Sequence, residues 1–243
     1  MVGDTPSGIK RTVMEKLRTC IPSVAIEKDC YDWKLRHERK CRAAANERFD
    51  IVLLGDSLTH FWNGEDGQNY GSDSYAELFG AYRTLNLGFG FDRVQNMLWR
   101  ITNGELANQS PQLVVLNAGT NQFSVTPNYD GDDAEKAFAG WRLLLETAMR
   151  ILPATCFVVM ALFPRLPDEP TGRCIAELNA RIALYCQTHC SDRLDLLDLT
   201  SRLRHADGSF APELYADGIC HLNNAGYRIW ADALRPLLPP VRR

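Results

Sequence analysis

The stretch Ile51-Val52-Leu53-Leu54-Gly55-Asp56-Ser57-Leu58-Thr59-His60-Phe61-Trp62 decides the fold. Four apolar residues in a row, without the alternation of a half-exposed strand, fit a parallel strand covered by helices on both faces. Gly55 then lets the backbone turn without a Cβ clash, and a helix is expected to begin at once. If Ser57 opens that helix, its hydroxyl lies at the positive end of the helix dipole, beside N–H groups that have no intrahelical partner. Such a place suits the making and holding of an oxyanion. The competing reading is that Asp56 or Ser57 only caps the helix, as Asp and Ser commonly do.

Outward from this stretch, strand and helix patterns alternate. Strands are expected at Thr84 to Leu87, Leu113 to Asn117, Thr155 to Leu162 and Arg193 to Leu199. Helices are expected within 24–46, over Val94 to Ile101, Ala134 to Leu152 and Cys174 to His189, and around Tyr227, Trp230, Ala231 and Leu234. Asn63 to Ser74 reads as a loop rich in Gly, Asn and Asp. The alternation predicts an α/β fold, a parallel sheet with helices on both faces. Such a sheet binds ligands at the carboxyl ends of its strands. Ser57, the Gly88 to Asp92 segment and Asn121 all fall at those ends.

Composition narrows the function. With 243 residues, 45% hydrophobic, 23% charged and a formal charge of −3, the chain reads as an ordinary globular protein, with no basic field to recruit nucleic acid. Phe157 to Phe163 is far too short an apolar run to span a bilayer, and Met1 to Cys20 has no secretory leader pattern, so a cytoplasmic location is expected. We expect a loose segment over 1–23 and a single domain over 24–243. The eight cysteines include no Cys-x-x-Cys pair and are expected as reduced thiols. Cys186, His189 and Cys190 lack a fourth ligand at metal spacing, so no metal is expected.

Serine nucleophilic catalysis needs a base, a group that orients the base, and donors for the oxyanion. Ser57, His221, Asp217 and the Asn121 amide supply one candidate for each. The blocks Gly55-Asp56-Ser57-Leu58, Asn86-Leu87-Gly88-Phe89-Gly90-Phe91-Asp92, Gly119-Thr120-Asn121 and Asp217-Gly218-Ile219-Cys220-His221-Leu222 together resemble the GDSL or SGNH hydrolase superfamily. Val94 to Arg100 with Asn103 to Leu106, and Leu162-Phe163-Pro164-Arg165, resemble its platelet-activating-factor acetylhydrolase-like branch. The resemblance covers about residues 48–238 and implies a three-layer α/β/α sandwich with a five-stranded parallel sheet, flavodoxin-like in order. It also implies ester hydrolysis through an acyl-serine, with Ser57, Asp217 and His221 catalytic, and with Ser57, Asn121, and Phe91 or Gly88 facing the oxyanion. No organic cofactor is implied.

This chain departs from the family pattern twice. Phe91 stands where a glycine is usual, and a φ above zero there would strain it. Three residues, not two, separate Asp217 from His221. Either Cys220 bulges outward and the pair stays in contact, or a backbone carbonyl orients the imidazole. Weaker substrate-binding candidates are Asp56, His60, Trp62, Phe163 and Arg165, each also readable as core or rim. The expected reaction is removal of short acyl groups, acetyl above all, from a small-molecule ester such as an acetylated sugar. Lysophospholipase, platelet-activating-factor-type acetylhydrolase and thioesterase activities stay open, as do a non-catalytic scaffold of the same fold and a homo-oligomer.

Overall fold

The apolar runs lie side by side because each is buried on both faces. In a computed structural model, which describes residues 17–63, 65–189 and 191–241, they form one parallel sheet. Its strands are β1 (Ile51–Gly55), β2 (Thr84–Gly88), β3 (Leu113–Asn117), β4 (Cys156–Met160) and β5 (Leu194–Leu197), in the order β2-β1-β3-β4-β5. β1 therefore has β2 on one side and β3 on the other, and the strand order reverses there. The crevice above the ends of β1 and β3 is the place where such sheets bind ligands.

Alternate residues of each strand feed two separate cores. Val52, Leu54, Leu87, Val114, Leu116 and Val159 pack against one helical layer. That layer holds α1 (Trp33–Asn46), α4 (Val94–Arg100), α5 (Ala134–Ile151) and α6 (Arg173–Thr188). Ile51, Leu53, Leu113, Val115, Val158 and Met160 face the other layer, made of α2 (Ser57–His60), α3 (Ser72–Phe79) and α7 (Asn224–Leu234). There the fully buried Trp62 stacks on Trp230 with ring centroids 4.4 Å apart. This is the three-layer sandwich that the resemblance implies.

Four details differ from the sequence reading. The helix after β1 is one turn long, because Phe61 leaves helical geometry and Trp62 drops into the core. An eight-residue helix, α3, occupies part of the segment read as loop; its Leu78 and Phe79 are buried in the layer it shares with α7. β4 stops at Met160, and beyond it the Asn179 side chain bonds both the N–H of Leu162 (2.7 Å) and its carbonyl (2.9 Å), displacing the ladder. Helix starts only at Trp33 within 24–46, where the Asp32 carboxylate accepts from the Leu35 N–H at 2.9 Å.

Ahead of α1, the chain runs as a strap across the strand ends. The Ser23 N–H donates to the Gln95 carbonyl at 3.2 Å, the Thr126 hydroxyl to Glu27 at 2.7 Å, and the Tyr31 hydroxyl to the Gly90 carbonyl at 3.1 Å. Of the N-terminal segment expected to be loose, residues 1–16 lie outside the described residues. Arg18–Cys20 form a turn against α5, with Thr19 buried and its hydroxyl donating to the Lys136 carbonyl at 2.8 Å. No helix among the described residues is long and apolar enough to cross a membrane.

Candidate active site

The site begins with a close approach of backbones. Gly55 and Gly88 are partners in the β1–β2 register. A Cβ on Gly55 would come within 2.1 Å of the Thr59 hydroxyl, and one on Gly88 within 2.1 Å of the His60 nitrogen. Only glycines let α2 sit directly on the strand ends, which lifts Ser57 to the crevice. Asp56 caps α2, its carboxylate accepting from the Leu58 N–H at 3.0 Å.

The loop between α7 and the preceding 3-10 turn carries the other two members. His221 Nε2 lies 3.0 Å from Ser57 Oγ, and His221 Nδ1 lies 2.7 Å from Asp217 Oδ2. The second oxygen of Asp217 accepts from the N–H groups of Ile219 (2.8 Å), Cys220 (2.8 Å) and His221 (3.1 Å). Burial works to raise the Asp217 pKa, but the bonds from Cys220, Ile219 and the His221 ring outweigh it and hold the carboxyl below its ordinary range. An ionised carboxylate only accepts, so Nδ1 carries the imidazole proton and Nε2 presents its lone pair to the serine hydroxyl. The arrangement can take a proton from Ser57 and return it to a leaving group.

The extra residue between Asp217 and His221 is absorbed without moving either side chain out of reach. Gly218 takes a φ of +67°, and Ile219 sits half-exposed at the cavity rim while its carbonyl accepts from the Leu166 N–H at 2.9 Å. Cys220 is not the outward bulge. Its thiol lines the cavity, and burial, with the nearby Asp56 and Asp217 charges, pushes it up to about 12 against the pull of Arg165.

Of the expected oxyanion donors, the Asn121 amide lines the cavity and is held by the Asp92 carbonyl, to which its nitrogen donates at 3.1 Å. That leaves its second N–H for a ligand. Phe91 also lines the cavity, at φ +61°, in the left-handed region that its side chain disfavours. Gly88 is not available, because its N–H donates to the Asn86 side chain at 2.8 Å. Beneath these loops, the fully buried Arg100 binds Asp92 (2.6 Å) and Glu105, and the Trp33 indole donates to Asp92 at 2.7 Å. Burial still lifts Asp92 to about 6 in spite of Arg100.

Among the weaker candidates, only Arg165 lines the cavity. Trp62 and Phe163 are buried in the core behind it, packed on Trp230. His60 is buried too, with Nε2 on the Glu65 carbonyl at 2.6 Å and Nδ1 accepting from the Gly90 N–H at 3.4 Å; burial and the Arg36 charge push it down to about 3, so it stays a neutral strut. Asp56 lies below the serine and off the cavity wall, lifted by burial to about 7. The cavity, about 220 Å³, is completed by Asp29, Phe61, Ser124 and Ile219, none of which the sequence singled out. Asp29 reaches it along the strap, beside Gly90, and no local motif marks it.

Residues 53–229 match the model of the GDSL-like lipase/acylhydrolase family. The chain is 30% identical over 211 residues to the alpha1 subunit of platelet-activating factor acetylhydrolase IB from Rattus norvegicus, covering 85% of this chain and 82% of that one. The Homo sapiens alpha1 subunit is 29% identical over the same shares. Among solved structures, a GDSL-like lipase from Bacteroides thetaiotaomicron superposes with a TM-score of 0.65 at 19% identity, covering 83% of this chain and 96% of that chain. A lipase/acylhydrolase from Enterococcus faecalis gives 0.60 at 21% identity, covering 81% and 100%.

Proposed function

The chain belongs to the GDSL-like lipase/acylhydrolase family and is an ester hydrolase, and from that premise we propose that it cleaves short-chain acyl esters through a covalent acyl-serine. The observation that carries this is the unbroken line from Asp217 through His221 to Ser57, with contacts of 2.7 and 3.0 Å. Ser57 Oγ attacks the ester carbonyl carbon as His221 Nε2 takes its proton. The tetrahedral oxyanion faces the N–H groups of Ser57 and Phe91 and the Asn121 amide. Its collapse breaks the bond to the alcohol oxygen, which leaves with the proton from His221. Water then gives its proton to the same nitrogen, attacks the acyl-serine, and releases the carboxylic acid while Ser57 regains its proton.

The acyl group we assign is acetyl, and the alcohol a small polar one of the sugar kind. The small cavity, about 220 Å³, supports a short chain, as does the acetylhydrolase name of the mammalian relatives. Asp29, Ser124, Asn121 and Arg165 around it support a polar alcohol. The test is hydrolysis of p-nitrophenyl acetate, butyrate and octanoate by the wild type and by Ser57→Ala. Activity that is greatest on the acetate and absent in the variant is the expected result. Activity rising through the octanoate would refute the short-chain assignment, and hydrolysis undiminished in Ser57→Ala would refute the mechanism.

A further inference from the structure

Arg165 stands out among the inward-facing arginines. Arg36 pairs with Asp66, Arg93 with Glu27, and Arg100 with both Asp92 and Glu105. Arg165, half-buried on the cavity wall, meets only neutral hydroxyls through Nη1: Ser124 Oγ at 3.2 Å and, more loosely, Thr120 Oγ1 at 3.5 Å. Among the described residues no carboxylate is in hydrogen-bonding contact with it, Asp56 acting on it only from a distance, and its Nε is buried without a partner. A guanidinium keeps its charge at any working pH and carries five N–H donors, so most of its hydrogen-bonding capacity is unspent. A cation withdrawn from water without a counter-charge is costly unless a ligand supplies one.

Its backbone is fixed from both sides. Phe163 packs edge-on against Trp230 at 4.9 Å, the Pro164 carbonyl accepts from Tyr215 at 2.8 Å, and the Leu166 N–H donates to the loop that carries His221. The neighbouring Cys220 thiol is neutral and does not compete for the charge. Two carboxylates share the cavity. Asp217 is committed to His221 and three N–H groups, while Asp29 sits on the strap beside Gly90 and accepts from the Cys30 N–H at 2.6 Å. A single guanidinium near two carboxylates suits a monoanion better than a phosphate dianion. Resting on the acyl-serine reading, we propose that Arg165 is a specificity-determining residue that binds a carboxylate on the substrate, so that the ester this enzyme prefers is an acidic one.

The test compares each acid with its neutral counterpart. 4-Acetoxybenzoate against its methyl ester places the charge on the alcohol side, and mono-4-nitrophenyl succinate against 4-nitrophenyl butyrate places it on the acyl side. In the wild type, one acid is expected to exceed its neutral partner in kcat/KM by roughly ten- to hundredfold, mostly through KM, the range for a hydrogen bond to a charged group. That ratio is expected to collapse toward unity in Arg165→Gln and to survive in part in Arg165→Lys. A ratio taken within one preparation is unaffected by partial misfolding. Neutral esters cleaved in a Ser57-dependent way with no acid preference would overturn this proposal alone, as would a preference that persists in Arg165→Gln. A stronger preference for 4-acetoxyphenyl phosphate would overturn the carboxylate assignment. No Ser57-dependent cleavage of any of these esters would overturn the mechanism and this proposal together.

Discussion

Phe91 offers a test of the proposed oxyanion loop in which most confounding terms cancel. Its φ of +61° puts an L-residue in the left-handed region, at a cost of about 1–2 kcal/mol relative to glycine. Replacing it outright confuses that cost with the loss of a ring that is 42% exposed and otherwise packed against the site. Comparing Phe91→Ala with Phe91→Gly removes the ring from both. In ordinary backbone, glycine is less stable than alanine by roughly 0.5–1 kcal/mol, because its unfolded chain has more freedom to lose. At Phe91 the left-handed cost falls on alanine alone, so the order should reverse, with Phe91→Gly more stable by about 0.5–1 kcal/mol. Urea unfolding at equal m-values measures this directly. An alanine variant as stable as the glycine variant, or more so, would refute the strain. Both variants keep the backbone N–H, so both should retain ester hydrolysis.

Asn121→Ala should lower kcat by roughly a hundred- to a thousandfold, the usual cost of one oxyanion donor, with the fold intact by circular dichroism. Asp56 should make the protein less stable as pH rises: its folded pKa of about 7 lies above the unfolded value near 4, so the native state binds the extra proton between these limits. Urea unfolding from pH 4 to 8 should therefore show a decline to about pH 7 that levels off above it and is reduced in Asp56→Asn. Arg100→Met should destabilise by about 3–5 kcal/mol, since it strands the buried Asp92 and Glu105 carboxylates without their cation. A loss below about 1 kcal/mol in the same assay would refute the cost assigned to breaking this buried cluster.

The sheet was legible because strands buried on both faces leave an uninterrupted apolar signature, and all of β1 is of that kind. The serine, asparagine and histidine blocks were legible because they sit at the ends of those strands. What stayed hidden depends on contacts distant in sequence. α3 is short, and two of its buried residues, Leu78 and Phe79, join a core completed by α7, far along the chain. Asp29 enters the cavity only because the strap runs over Gly90. Gly88 was visible as a glycine, but its reason is steric: the α2 backbone passes over it, and its N–H serves Asn86. His60 and Trp62 follow the serine closely yet face away from the cavity, because a one-turn helix turns its second half into the core.

The irregular spacing before His221 shows what that carboxylate requires. Sequence distance between Asp217 and His221 matters less than how the two oxygens of Asp217 are divided. One oxygen is consumed by three successive N–H groups, which fix the side chain on its own loop. The other is thereby left free and aimed, and it takes the imidazole at 2.7 Å. Gly218, at φ +67°, makes the turn that brings those N–H groups round, so an added residue lengthens the loop without shifting the carboxylate. The same bonds hold the Asp217 carboxyl below the ordinary carboxylate range, so it stays an acceptor for the Nδ1 proton. A spacing that looks like decay in the sequence is thus compatible with an intact relay. The residue it adds also brings the Cys220 thiol to the cavity wall beside Arg165, where the loop contributes to the shape of the pocket as well as to the proton path.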